Sequence, residues 1–563
     1  MPGSFARRFS KWAPVSAVLI SGVVGWFLAL AIDWLAPHGR PNPRERLGAA
    51  LAWGLAWTAL TGFWWLRAFY DAANWMIGDH LWPRGGKVAL VAGWVFWALL
   101  LSAVVPALRR LAESQQPPAA PGRLAAPPKA PPTPAPARPG ATAIGVAAGG
   151  KVVHFTDEQA RLHVLVVGAT GSGKTNLLEL LLGSAIGSGD PVIFVDGKGS
   201  ADLLHHVRGV CRRARREVRV FSFAGEDHWN PLKHGDHTHQ RDLISAAQRW
   251  DNAYFQAVAE DYLGLAAQAL AACGQPVTLR AVVRLLTPDL QGLRNLVRTI
   301  TDQELNERLY QGCDKPDESV RSGIIGLTHR LARLTDSQIG PWLEPAPPGA
   351  GEVDLIESAT TRGGPVACFS IDALGYPATA TPLAAMVLQN LQQVASVLMA
   401  QGNTRPVTVF IDEFSPFDVQ QVLGLLSRGR EAGLRCVLAT QDLSDLERSG
   451  GRTAVDQVLA NTGTKVSLRI DVRETAERLA ATVGTRPAWR ATHRTAGGLR
   501  FQEGTERLEE VPVLQPSVLM QLGVGEAVLI QKHPEVSVQQ VRLYRAEGAA
   551  PRPVPVGSGA ARP

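Results

Sequence analysis

An α/β fold with a mostly parallel sheet, an all-helical insertion and an apolar membrane-spanning start is what the sequence predicts, on three observations. Short apolar runs at 162–167, 192–195, 365–371, 406–411 and 436–439 alternate with helical stretches, as strands buried on both faces do. A central stretch repeats its apolar residues at helix spacing and carries little strand signal. The first 110 residues are far more apolar than the rest.

The run 162–167 leads into Gly168-Ala169-Thr170-Gly171-Ser172-Gly173-Lys174-Thr175-Asn176, and a leucine-rich helix follows. This is the G-x-x-x-x-G-K-[ST] pattern with both flanks that phosphate binding requires. The glycines let the backbone N–H groups and the helix N-terminus face phosphate oxygens. Lys174 adds a point charge, and Thr175 a hydroxyl for Mg²⁺.

A P-loop needs an acidic strand end as its metal partner, and Asp412-Glu413 supply one about 240 residues later. Asp412 is expected in the Mg²⁺ shell and Glu413 as the base that takes a proton from water, which favours hydrolysis over transfer. The strand 436–441 ends in Gln441, a candidate to sense the γ-phosphate or orient the water. Arg428 and Arg430, on the helix before it, are candidate arginine fingers for a neighbouring subunit.

These residues resemble the type IV coupling proteins of the TraD/TraG kind, which are related to FtsK/HerA translocases. The likeness also rests on Asp196-Gly-Lys198-Gly199 after an apolar strand, where the family reads Asp-Pro-Lys-Gly-Glu, with Gly197 and Ser200 departing from it. Asn230-Pro231-Leu232 and Asn461-x-x-x-Lys465 complete the series, and the resemblance covers roughly residues 150–545. It implies a RecA-like P-loop ATPase using ATP and Mg²⁺, a homo-hexamer in the bacterial inner membrane, and partners comprising single-stranded DNA with its relaxase and the secretion channel.

Residues 12–32 and 88–108 are each about twenty uncharged residues, enough to cross ~30 Å of hydrocarbon. Tryptophans at 12, 26, 34, 82, 94 and 97 suit bilayer interfaces. Residues 47–66 are a candidate third span, and the flanking arginines do not choose between two and three. The ATPase end is expected in the cytoplasm, where ATP is.

The expected organisation is a membrane anchor over 1–112, a Pro/Ala-rich extended linker over 113–150, and a nucleotide-binding domain from 151–239 with 346–545. An all-α insertion fills 240–345 and a disordered tail 546–563. The insertion's stripes are Leu279, Val282, Val283 and Leu286; Leu293, Leu296, Val297 and Ile300; and Ile324, Leu327, Leu331 and Leu334. Five scattered cysteines without C-x-x-C spacing argue against a disulfide framework or a zinc site.

A formal charge of +7 is compatible with nucleic acid. Segment 486–501 mixes arginines with aromatics, making Arg490, Arg494 and Arg500 candidate DNA contacts. The reading is a membrane-anchored, ATP-driven DNA translocase coupling a relaxase–DNA substrate to a conjugation channel. The alternatives are an ATP-binding receptor for protein effectors and an FtsK/HerA-type chromosomal translocase.

Overall fold

The computed structural model describes residues 124–128, 140–313, 316–402, 405–414, 417–496 and 499–546. The expected spans at 12–32, 47–66 and 88–108, and the tail beyond 546, lie outside the described residues. Among the described residues, one helix, Pro377–Ala400, is long and apolar enough to cross a membrane. It packs in the protein core, with Leu383, Met386, Leu388 and Leu391 fully buried.

The main sheet has eleven strands: β1 (Ala141–Ala147), β2 (Val152–Thr156), β3 (Val164–Val167), β4 (Val192–Asp196), β5 (Val218–Ser222), β6 (Val366–Ser370), β7 (Val407–Asp412), β8 (Leu434–Thr440), β9 (Thr464–Ser467) and, after a separate hairpin of β10 (Thr485–Ala496) and β11 (Leu499–Pro512), β12 (Glu526–Gln531) and β13 (Ser537–Leu543). Their order is β2-β1-β13-β12-β9-β3-β8-β7-β4-β6-β5. From β9 to β5 every neighbouring pair is parallel, and from β9 to β2 every pair is antiparallel.

Alternation along the strands explains how such uniform apolar runs build two layers. Val164, Val166, Val192, Phe194 and Val220 face one cluster with helices Lys174–Gly187 and Ala201–Arg213. Leu165, Val167, Ile193, Val195 and Phe221 face the other, which includes the helices between β5 and β6 and the helix Pro377–Ala400. Strands β3, β4, β6, β8 and β9 are buried along their whole length, as parallel strands covered on both faces are.

Between β5 and β6 the chain is helical, and its helix starts are written in the sequence. Asp236, Asn252, Thr278, Asp302 and Asp317 each accept a backbone N–H from the first turn of the following helix, satisfying a donor that the turn leaves orphaned. Leu279, Val282, Leu286, Leu293, Val297, Ile324, Leu327, Leu331 and Leu334 are buried. The Asn230-Pro231-Leu232 motif forms the junction. Asn230 Nδ2 donates to Val277 O at 3.0 Å, and Asn390 Nδ2 donates to Pro231 O at 3.0 Å, so the insertion is pinned to the long core helix.

The extended linker expected over 113–150 gives way earlier than composition suggested. Ala141–Ala147 is a strand pairing with both β2 and β13. Beyond Gly140 the prolines stop, and Ile144 and Val146 become buried core residues. A proline-free run has every N–H available to a ladder, so the segment can be a strand.

Candidate functional site

The phosphate loop is set by the chain on each side of it. Gly168 N donates to Thr440 O at 3.2 Å and Ala169 N to Arg469 O at 2.9 Å, fixing the loop to the ends of neighbouring strands. Gly171 (φ 76°) and Gly173 (φ 109°) adopt the left-handed backbone that side chains disfavour, and Gly173 caps the helix that Lys174 begins. At Gly168 a Cβ would lie 2.8 Å from both Leu468 Cβ and Ser172 Oγ, so the strand end admits no side chain. Asn176, in the first helical turn, is engaged with the chain's far end: Nδ2 donates to Tyr544 O at 2.7 Å and Oδ1 accepts from Ala546 N at 2.9 Å.

Strand β8 separates β3 from β7, which puts the acidic end of β7 beside the loop. Lys174 Nζ lies 3.8 Å from Asp412 Oδ1 and 3.7 Å from Glu413 Oε2. Burial raises the Asp412 carboxyl above the usual range, with Lys174 opposing that shift. Asp412 Oδ1 is buried and accepts no hydrogen bond. Glu413 has φ 53°, a left-handed conformation that costs a non-glycine residue about 1–2 kcal/mol. Strain of this kind collects at functional positions. Thr170 Oγ1 donates to Gln441 Oε1 at 3.1 Å, bringing Gln441 to the same mouth.

Asp196 sits opposite Asp412 in the β4–β7 register. Its oxygens accept from Lys198 N at 2.9 Å and Ser200 N at 2.5 Å, and burial, with Asp412 adding, pushes its carboxyl up to about 6. Asp196 therefore folds the turn that presents the exposed Lys198 next to Asp412. Ser200 stands at a position where a glutamate was expected, and it acts locally. Its Oγ accepts from Leu203 N and caps Ala201–Arg213. Gly199 (φ 72°) is required, since a Cβ there would stand 2.8 Å from Asp372 Cα.

The donor set fits a magnesium–nucleotide complex. It comprises a glycine-shaped loop at a helix N-terminus, one ammonium, a threonine hydroxyl in the first turn and a buried carboxylate oxygen without a donor.

Two sequence-derived groups lie elsewhere. Arg428 and Arg430 are exposed at the end of helix Val419–Gly429, just ahead of β8. Because β8 and β3 are parallel, this is the end of the sheet opposite the loop. His163, immediately before β3, marks the same end: its ring reaches Leu426 O at 2.8 Å, and Arg430 adds to the lowering of its pKa, which burial dominates. Neither arginine serves its own chain's loop. Arg490, Arg494 and Arg500 lie on β10 and β11, with Arg490 opposite Arg507 and Arg500 opposite Thr495. That hairpin was not legible in the sequence. Nearer its base, Trp489 pairs with Leu508, and the two are 69 % and 53 % exposed.

Fold and loop together define a P-loop nucleotide-binding protein. Residues 406–523 match the family model described as the TraM recognition site of TraD and TraG. The type 4 coupling protein DotL of Legionella pneumophila is 40% identical over 68 residues, which are 12% of this chain and 9% of that protein. The chain thus matches less than a tenth of that relative's length. Among solved structures, the unbound bacterial conjugative coupling protein TrwBdeltaN70 aligns with TM-score 0.54 and 18% identity over 74% of this chain and 91% of that one. TrwB with the GTP analogue GDPNP aligns with TM-score 0.50 and 19% identity, covering 74% and 92%. Family model, relative and fold together support a type IV coupling protein of the TraD/TraG kind.

Proposed function

We propose that the chain is a membrane-anchored ATPase that drives DNA, with its bound relaxase, toward a type IV secretion channel. The single observation that carries this reading is Lys174 held between Asp412 and Glu413 at the mouth of a complete phosphate loop, in a chain whose residues 406–523 match the TraD/TraG model. In this reading 1–112 anchor the protein in the bacterial inner membrane, 151–239 with 346–545 form the motor, and 240–345 face the cargo.

ATP is the substrate, its phosphates cradled by Gly168 to Thr175. Mg²⁺, held by Thr175 and Asp412, would neutralise charge on the phosphate oxygens. Lys174 exchanges its carboxylate neighbours for the phosphates, which frees Glu413 to accept a proton from the attacking water. The water oxygen bonds to the γ-phosphorus as the bond to the bridging β–γ oxygen breaks, leaving ADP and phosphate. Gln441, through Thr170, reports the state of the loop to β8. Arg428 or Arg430 reaches a neighbour's site across a ring of subunits. From the far end of the sheet either could serve a site only in trans, and the homo-hexamer itself is what the TraD/TraG resemblance implies.

Steady-state ATP hydrolysis by the full chain in detergent, with and without single- and double-stranded DNA, tests the reading. Stimulation by DNA that is lost in Lys174→Ala and Glu413→Gln supports the motor. Hydrolysis indifferent to every DNA favours a receptor that recruits protein effectors.

A further inference from the structure

Asn176 lies in the first turn of the helix behind the phosphate loop, yet its side chain is occupied by residues about 370 positions away. Its amide acts as a one-residue strand partner. Nδ2 donates to Tyr544 O at 2.7 Å and Oδ1 accepts from Ala546 N at 2.9 Å. Tyr544 N in turn donates to Ile144 O at 3.0 Å, continuing the β1–β13 ladder to the point where Asn176 takes over. Tyr544 and Ala546 are buried.

A second contact ties the same region to the loop itself. Gly525 N donates to Ser172 O at 3.2 Å, while Leu543 N donates to Gly525 O at 2.9 Å. Arg542 holds this turn from outside, reaching Val524 O at 3.0 Å and Glu526 Oε1 at 2.7 Å. Ser172 and Asn176 flank Lys174, so the phosphate-binding lysine is bracketed by Asn176, which holds 544–546 directly, and Ser172, which reaches Leu543 through Gly525. The loop's conformation and the seating of 541–546 are therefore not independent.

We propose that the segment Tyr544–Ala546 is a nucleotide-responsive element: phosphate at the loop tightens its hold on the chain's C-terminal exit through Asn176 and Ser172, and loss of phosphate loosens it. The inference rests on the nucleotide reading above. Thermodynamic reciprocity requires that seating this segment also strengthen nucleotide binding by the same factor. Asn176 is a positioning residue here.

Hydrogen exchange of peptides covering 537–546 in the full chain, with and without ADP and Mg²⁺, reads the coupling directly, beside nucleotide affinity measured on the same samples. The expected result is slowing of exchange by at least about fivefold on nucleotide addition, the lower end of ordinary couplings. Asn176→Ala should weaken ADP affinity severalfold and, at saturating ADP, lose that response. Ala546→Pro approaches from the other side, removing the N–H that Asn176 Oδ1 accepts without touching the loop, and should weaken ADP affinity severalfold. Nucleotide that binds with exchange unchanged in the wild type, or Ala546→Pro with unaltered ADP affinity, overturns the coupling alone. No nucleotide binding in the wild type overturns the ATPase reading and the coupling with it.

Discussion

Lys174 Nζ stands 3.7 Å from Glu413 Oε2, so the phosphate-binding cation and the strained carboxylate at the end of β7 hold one another. Removing either end has a different consequence. Lys174→Ala should weaken ATP binding about 10- to 100-fold, the worth of a charge-assisted contact of about 1.5–3 kcal/mol. Glu413→Gln should bind ATP normally and lower turnover by about 10²–10⁴, as loss of a positioned base does. Titration with a fluorescent nucleotide and a steady-state assay separate the two.

Gly168 and Gly171 predict contrasting variants. In Gly168→Ala the new methyl meets Leu468 and Ser172 at 2.8 Å, an overpacking that costs about 1–3 kcal/mol and displaces the loop. Gly171→Ala meets nothing within 4 Å and carries only the backbone penalty of φ 76°, about 1–2 kcal/mol. ADP affinity should fall further for Gly168→Ala than thermal stability alone accounts for, because the displaced group is Ser172 inside the loop.

The nucleotide site was legible because its chemistry is local: a strand, glycines, a lysine and a helix follow one another without interruption, and Asp412 ends a strand of its own. The buried runs also announced parallel strands. What no window could show was Asn176 bonding to Tyr544 and Ala546, or β12, β13, β1 and β2 extending the sheet, because those partners lie hundreds of residues apart. The direction of β8, known only once its neighbours are placed, sends Arg428 and Arg430 to the far end. The β10–β11 hairpin was hidden because its strands mix arginine and glutamate without an alternating apolar face.

His163 sets a pH dependence of stability. Cys436 N donates to its Nδ1 at 3.1 Å, so Nε2 carries the proton and donates to Leu426 O. Burial lowers its pKa to about 4, whereas the unfolded chain titrates near 6.5. Below about 6.5 the unfolded state takes up a proton that the native state refuses, so stability falls as pH drops toward 4, by up to about 3 kcal/mol. His163→Asn tolerates φ 58° and removes the titration. Chemical denaturation at pH 7 and about 4.5 should show a shallower loss in this variant than in the wild type.

Strand β1 makes a statement about truncation. A fragment starting at residue 149 loses Ile144 and Val146 from the core and turns β13 into an open edge. Compared with a fragment starting at Pro118, it should melt several degrees lower and aggregate, as scanning calorimetry and light scattering will report.

Because β10 and β11 form a two-stranded sheet of their own among the described residues, replacing 487–510 by a short Gly-Ser turn should leave ADP affinity unchanged. If Arg490, Arg494 and Arg500 contact DNA, the same deletion weakens single-strand binding and lowers its salt dependence, measured by fluorescence anisotropy at two ionic strengths.

Displacement of streptavidin from end-biotinylated single-stranded DNA by the full chain is the most direct test of a DNA motor. A DNA motor should displace streptavidin only while hydrolysing ATP, and Glu413→Gln should not displace it. Vigorous hydrolysis with streptavidin left in place on both 5′- and 3′-labelled strands would contradict the motor reading.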